Sequence, residues 1–187
     1  MLSQQPEADA LLDRDPLALV IGMVLDQQVP LEKAFSSPYV LTERLGHVPD
    51  AAELAGMSED DLVAVFSQPP ALHRFPGSMA KRVQAMCQVV VEQYGGDVTT
   101  VWTGATGGKD LLERVSALPG FGKQKAQIFV ALLGKQYGVD VPGWREAAGD
   151  FGPEGTYKSV ADIRDTESLA RVRDYKKQMK AAAKAKT

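Results

Sequence analysis

Apolar residues recur at helical spacing along almost the whole chain, and no stretch alternates with the period of two that a half-buried strand requires. Leu111, Leu112, Val115 and Leu118 mark one face of a helix over residues 109–118. Ala126, Phe129, Val130 and Leu133 repeat that face on a second helix, with Pro119-Gly120-Phe121-Gly122 between the two. Upstream, Leu17 to Leu25 is a continuous apolar run, too short to span a membrane and suited to a core helix. Ser58-Glu59-Asp60-Asp61 reads as the start of a helix that buries Leu62, Val65 and Phe66, and Gln68-Pro69-Pro70 ends it. Phe75-Pro76-Gly77-Ser78 opens another, with Ser78 as its expected N-cap and Met79, Val83, Met86, Cys87 and Val90 as its apolar stripe. Trp144 to Ala148 reads as one more short helix. Pro and Gly punctuate these segments at ordinary helix lengths, so the expected fold class is all-α.

The turn at 119–122 carries the first sign of chemistry. Its glycines permit positive φ and let a second backbone approach closely. Amides at the start of the helix that follows have no acceptor within it and lie at the positive end of its dipole. With Lys123 and Lys125 they form a phosphate-binding device that touches no base edge. The alternative is an ordinary helix cap with a buried Phe121 and a solvated lysine pair.

Leu118-Pro119-Gly120-Phe121-Gly122-Lys123-Gln124-Lys125-Ala126 resembles the helix-hairpin-helix of the HhH-GPD superfamily of DNA glycosylases. The run from Leu17 to Leu25, followed by Asp26-Gln27-Gln28-Val29-Pro30, resembles the apolar helix ending in a Gln pair of the 3-methyladenine DNA glycosylase branch. The resemblance implies a two-lobed helical fold, with a glycosylase core over 1–150 (hairpin about 109–134) and a C-terminal helical extension with a basic tail over 151–187. It implies DNA contacts from Gln28, Gly120, Phe121, Gly122, Lys123 and Lys125, with Ser78, Lys81 and Arg82 as a second phosphate-binding group. Gln28 would fill the gap left by an extruded nucleotide, since an amide both donates and accepts. Gln27 and Trp144 would flank the base pocket, and Trp102, Tyr39, Phe35 and Tyr137 are further stacking candidates.

Members of the superfamily carry a catalytic Asp beyond the hairpin. Asp140, 18 residues past Gly122, is the candidate here, although the later place expected from the family holds Pro142, Gly143 and Trp144; Asp150 is the fallback. Members that also cut the strand use a Lys where this chain has Gln124, which cannot form a Schiff base. Lys123 and Lys125 flank that place, but each offset by one residue is a rotation of about 100° around the helix, away from the same pocket. The expected activity is therefore that of a monofunctional glycosylase that leaves an abasic site.

Composition narrows these expectations. The 187 residues suffice for one well-filled core or for two small lobes sharing a cleft. Cys87 is the only cysteine, which rules out an internal disulfide and the four-cysteine iron-sulfur cluster of the endonuclease III and adenine glycosylase branches. His47 and His73 lack partners at metal-ligand spacing, so neither a metal nor a cofactor is expected. Net charge is −3, but residues 171–187 hold seven Lys and Arg against Asp174 alone, a local +6 that leaves −9 on the remainder. A basic C-terminal helix of this kind strengthens phosphate binding or is simply a solvated end.

The first residues lack a basic start and an apolar signal segment. The reading is a cytoplasmic, nucleoid-associated monomer whose partner is duplex DNA with a damaged base. Two other readings stand beside it. One is a non-catalytic binder of damaged or bent DNA; the other is a protein-interaction module built on Tyr157 to Ala185.

Overall fold

The computed structural model describes residues 1–187, and every regular element in it is helical. The α-helices are α1 (Pro6–Arg14), α2 (Pro16–Leu25), α3 (Leu31–Leu45), α4 (Ala51–Gly56), α5 (Glu59–Ser67), α6 (Pro76–Tyr94), α7 (Thr100–Thr103), α8 (Gly108–Ser116), α9 (Lys123–Gln136), α10 (Trp144–Ala147) and α11 (Thr166–Ala185). Two short 3₁₀ turns, Gly149–Phe151 and Val160–Asp162, lie between α10 and α11.

Local chemistry sets the ends of these helices. Asp15 caps α2, accepting from the Leu17 amide at 3.1 Å, and Pro16 supplies the preset φ of a first helical residue. Ser58 caps α5 as its sequence suggests, accepting from the Asp61 amide at 3.1 Å. The start of α6 differs from expectation. Pro76 is its first residue and Phe75 stands at its cap position, which leaves Ser78 exposed inside the first turn rather than capping it.

Packing divides the helices into two groups. Helices α1 to α6 pack on one another, and α7 to α10 with the 3₁₀ turns and α11 form the second set. A single cluster of 46 buried residues runs through both, so the two groups share one core rather than owning one each. Nine of the ten residues of α2 are buried, as its uninterrupted apolar run requires, and α2 lies at the seam. The Cys87 thiol is fully buried, and burial pushes its pKa up to about 12, which makes it an inert packing group.

The chain after α9 folds back along that helix. Trp144 seats its indole against Gly134, where a Cβ would meet ring atoms at 2.4–2.6 Å, and Arg145 stacks on the ring with its guanidinium 4.4 Å from the centroid. Further on, Lys135 and Asp162 form a buried ion pair at 2.6 Å. Asp162 also accepts from the Lys158 amide at 2.8 Å, and Lys135 donates to the Pro153 carbonyl at 2.8 Å. These bonds tie residues 153–163 to α9 and bring Ser159 and Val160 to its side.

Candidate nucleic-acid interface and cleft

The chain leaves α2 through a tight turn. Asp26 closes the helix, the Gln27 amide donates to the Leu25 carbonyl at 2.7 Å, and Gln28 sits at φ +56°. A residue with a side chain adopts that left-handed conformation only when its surroundings impose it. Buried His73 supplies the constraint. Its Nε2 lies 3.1 Å from the Leu25 carbonyl and 2.9 Å from that of Gln27, and its Nδ1 accepts from the Phe75 amide at 2.9 Å. This arrangement makes Nε2 the protonated nitrogen of a neutral ring. Burial lowers the His73 pKa below the usual imidazole range, outweighing the two carbonyls that favour the cation. Held in this way, Gln28 projects into solvent, whereas Gln27 turns inward and donates to the Val24 carbonyl at 3.2 Å.

The hairpin faces this turn. Gly120 has φ +95°, and a Cβ there would lie 3.0 Å from Val24 Cγ1 and 3.3 Å from Arg82 Cδ, so only glycine fits both backbone and space. The amides of Gly122, Lys123 and Gln124 have no acceptor within the chain, and Gly122 contributes no side-chain cap. All three residues are exposed, leaving those donors open to an incoming anion.

Between the glutamine turn and the start of α9 lies an open cleft of about 410 Å³. Met23, Asp26, Gln27, Gln28 and Val29 form one wall; Gln124, Lys125 and Ile128 of α9 form another; Ser159, Val160 and Lys176 complete it. The volume lies within the roughly 300–1,000 Å³ of small-ligand pockets. Lys125 reaches across the seam, its Nζ 3.3 Å from the Val24 carbonyl at the C-terminal end of α2. Burial lowers the Lys125 pKa, with Asp26 opposing that shift and Arg82 adding to it. Burial raises the Asp26 pKa, opposed by Lys176 and then by Lys125. A helix C-terminus disfavours an anion, so Asp26 occupies its place against local electrostatic preference, which Lys125 and Lys176 partly offset.

Several expected residues meet here. Gln27, Gln28 and Lys125 line the cleft, with Gln124 beside them, while Gly120, Gly122 and Lys123 form its adjoining rim. Ser78, Lys81 and Arg82 lie on the first turns of α6; Arg82 runs beside Gly120, and exposed Lys81 stands 3.6 Å from Glu59.

Other expected residues are elsewhere. Phe121, expected at the DNA, is a core anchor of the hairpin with neither its ring nor its amide open to a ligand: it is 6% exposed, its ring centroid is 5.6 Å from that of Phe129, and its amide is taken by the Leu118 carbonyl at 3.1 Å. Trp144 is buried against α9 and does not line the cleft. Asp140 does not line it either. Its loop is fixed at the other end of the helix pair, where the Gly108 amide donates to the Pro142 carbonyl at 2.7 Å and the Val139 amide to Leu133 at 3.2 Å. The 14 residues of α9 separate that end from the hairpin by about 20 Å. Asp150 is exposed in the first 3₁₀ turn, also outside the cleft lining.

Lys125 lines the cleft beside Gln124 despite the rotation of about 100° between neighbouring helical residues. Side chains on a helix point back toward its N-terminus, so a long lysine stem in the first turn reaches over the helix start and into the cleft. Asp26, His73, Ser159 and Lys176 were not signalled as site residues. Of these, Asp26 leaves a trace as an acid at the wrong end of an apolar helix, and Lys176 as one of the cations of the basic C-terminal helix.

A family model described as HhH-GPD superfamily base excision DNA repair protein matches residues 21–186 of the chain. No curated protein and no solved structure shows a match.

Proposed function

The chain belongs to the HhH-GPD superfamily of base excision DNA repair proteins, and on that premise we propose that it is a monofunctional DNA glycosylase, acting as a monomer on duplex DNA that contains a damaged base. The open amides of the hairpin rim, contiguous with a cleft that Gln28 overhangs, are the observation that carries this reading. The hairpin would hold one strand by its phosphates without reading sequence, and the first turns of α6 would hold it again through Arg82 and Lys81. Flipping a base costs a few kcal/mol, least where pairing is already weak, so lesions that weaken pairing are extruded most readily. Gln28, with an unpaired amide, would take the vacated place in the duplex.

Subtype follows from the same residues. The Gln pair after an apolar helix, together with a single cysteine, favours the 3-methyladenine type, whose substrates are alkylated bases. Gln124 stands in the cleft without an amine, and the Lys125 ammonium is engaged with the Val24 carbonyl, which favours base release without strand cleavage. In this reading residues 1–150 form the glycosylase core, and 151–187 are an extension whose Ser159, Val160 and Lys176 wall the cleft. The site of action would be the nucleoid, in the cytoplasm.

Incubation with duplexes that each carry one alkylated, deaminated or oxidised base tests the proposal. The expected result is release of an alkylated base, with a strand break appearing only after alkali and no covalent DNA adduct after borohydride. Release of none of these bases, with duplex binding retained, would support the non-catalytic binder instead. A borohydride-trapped adduct lost in Lys125→Gln would make the enzyme bifunctional.

A further inference from the structure

A glycosylase needs a carboxylate near the sugar, and the loop that holds Asp140 is fixed far from the cleft. Asp26 is the only carboxylate that lines the cleft. Its side chain is mostly enclosed yet makes no hydrogen bond within the chain, so no structural task accounts for it. It sits where the dipole of α2 disfavours an anion, a position that costs stability and is kept only for a gain elsewhere. Burial raises its pKa, and Lys176 from α11 and Lys125 from α9 oppose that rise. Gln28 lies two residues on, so a nucleotide displaced at Gln28 enters the cleft beside Asp26.

We infer that Asp26 is the catalytic carboxylate of this protein, placed to stabilise the cationic sugar and to accept a proton from the attacking water. The inference rests on the glycosylase reading above. As the bond between C1′ and the base nitrogen breaks, its electron pair leaves with the base and positive charge develops on the sugar. The ionised Asp26 carboxylate faces that charge. Water then adds its oxygen to C1′ and one of its protons passes to Asp26 and on to solvent; a cationic alkylated base leaves neutral and needs no proton, whereas a base that leaves as an anion takes one up from solvent. The net reaction is hydrolysis, and no other reactant is consumed. Asp26 would replace, from the opposite wall of the cleft, the acid expected beyond the hairpin.

A binding experiment tests this without knowledge of the lesion. Two duplexes are compared, one with a neutral tetrahydrofuran abasic site and one with a cationic pyrrolidine ring at the same place, which imitates the charge of the transition state. Wild-type protein and Asp140→Asn should bind the cationic duplex about tenfold or more tightly than the neutral one. Asp26→Asn, almost unchanged in shape, should bind both alike, with affinity for the neutral duplex no lower than that of the wild type and a melting temperature equal or higher, because the unfavourable anion at the end of α2 is gone. Retention of the preference in Asp26→Asn, its loss in Asp140→Asn, or its absence from the wild type would each overturn the inference. Base release by wild-type protein in any of those cases would leave the glycosylase reading standing. Failure of the wild type both to bind either duplex and to release any base would defeat that reading as well.

Discussion

Lys135 and Asp162 meet at 2.6 Å with their side chains 1% and 4% exposed, joining α9 to a segment that begins beyond two further turns of chain. Removing one member leaves the other charged and enclosed, which costs about 3–5 kcal/mol. Asp162→Asn and Lys135→Met should each lower unfolding free energy in urea by that amount. Because the pair holds Ser159 and Val160 at the cleft, any residual activity in these variants should also show weakened substrate binding.

Gly120→Ala places a Cβ 3.0 Å from Val24 at φ +95°. The expected loss is about 1–3 kcal/mol of stability, from backbone strain and crowding together. Lys123→Ala removes only an exposed cation. Its fold should be unchanged, and the slope of log affinity for duplex DNA against log salt should become shallower by about 0.9, the value for one phosphate contact.

Gln28 holds a left-handed backbone that glycine adopts freely. Gln28→Gly should relieve strain of about 1 kcal/mol, partly offset by the greater freedom of the unfolded chain, and so leave stability equal or higher. Affinity for a duplex with a flipped nucleotide should fall, because nothing then occupies the gap. A variant that loses both stability and affinity would place Gln28 among structural residues.

His73 is neutral in the folded protein, with its pKa lowered by burial and by Lys125 and Lys33. The folded state therefore binds fewer protons than the unfolded chain. Stability from this group is complete above about pH 6.5 and falls as the pH drops from there through the lower folded pKa. His47 runs the opposite way. Glu53 raises its pKa, so its contribution is complete below about 6.5 and is lost as pH rises through the folded value. Unfolding free energies of wild-type protein and His73→Gln between pH 5 and 8 isolate the first effect, and the difference between the two proteins should shrink toward pH 5.

Much of the fold was legible because its signals are local. Period and punctuation mark α2, α5, α6, α8 and α9, and Leu118 to Ala126 mark the hairpin. The cleft was less legible, because its walls come from residues about 100 to 150 positions apart, such as Asp26 with Lys125 and Lys176. His73 lacked metal-ligand partners in sequence, and its task of clamping the Leu25 and Gln27 carbonyls depends wholly on tertiary approach. Phe121 and Trp144 look alike in sequence whether they stack on a base or fill a core; the close faces of Phe129 and Gly134 decide for the core. The count from the hairpin to Asp140 carries no information on where its loop lies, which the Gly108 to Pro142 hydrogen bond determines.

Helix α11 is joined to α3 through Arg173 and Glu32, passes the cleft at Lys176, and from there to its end is exposed on every side. Lys176 to Lys186 therefore form a cationic arm standing about 15 Å off a body that is itself acidic. Such a molecule is an electric lever. In the field of a polyanion the arm is drawn in while the body is pushed away, so the protein is turned before first contact and arrives with its cleft side leading.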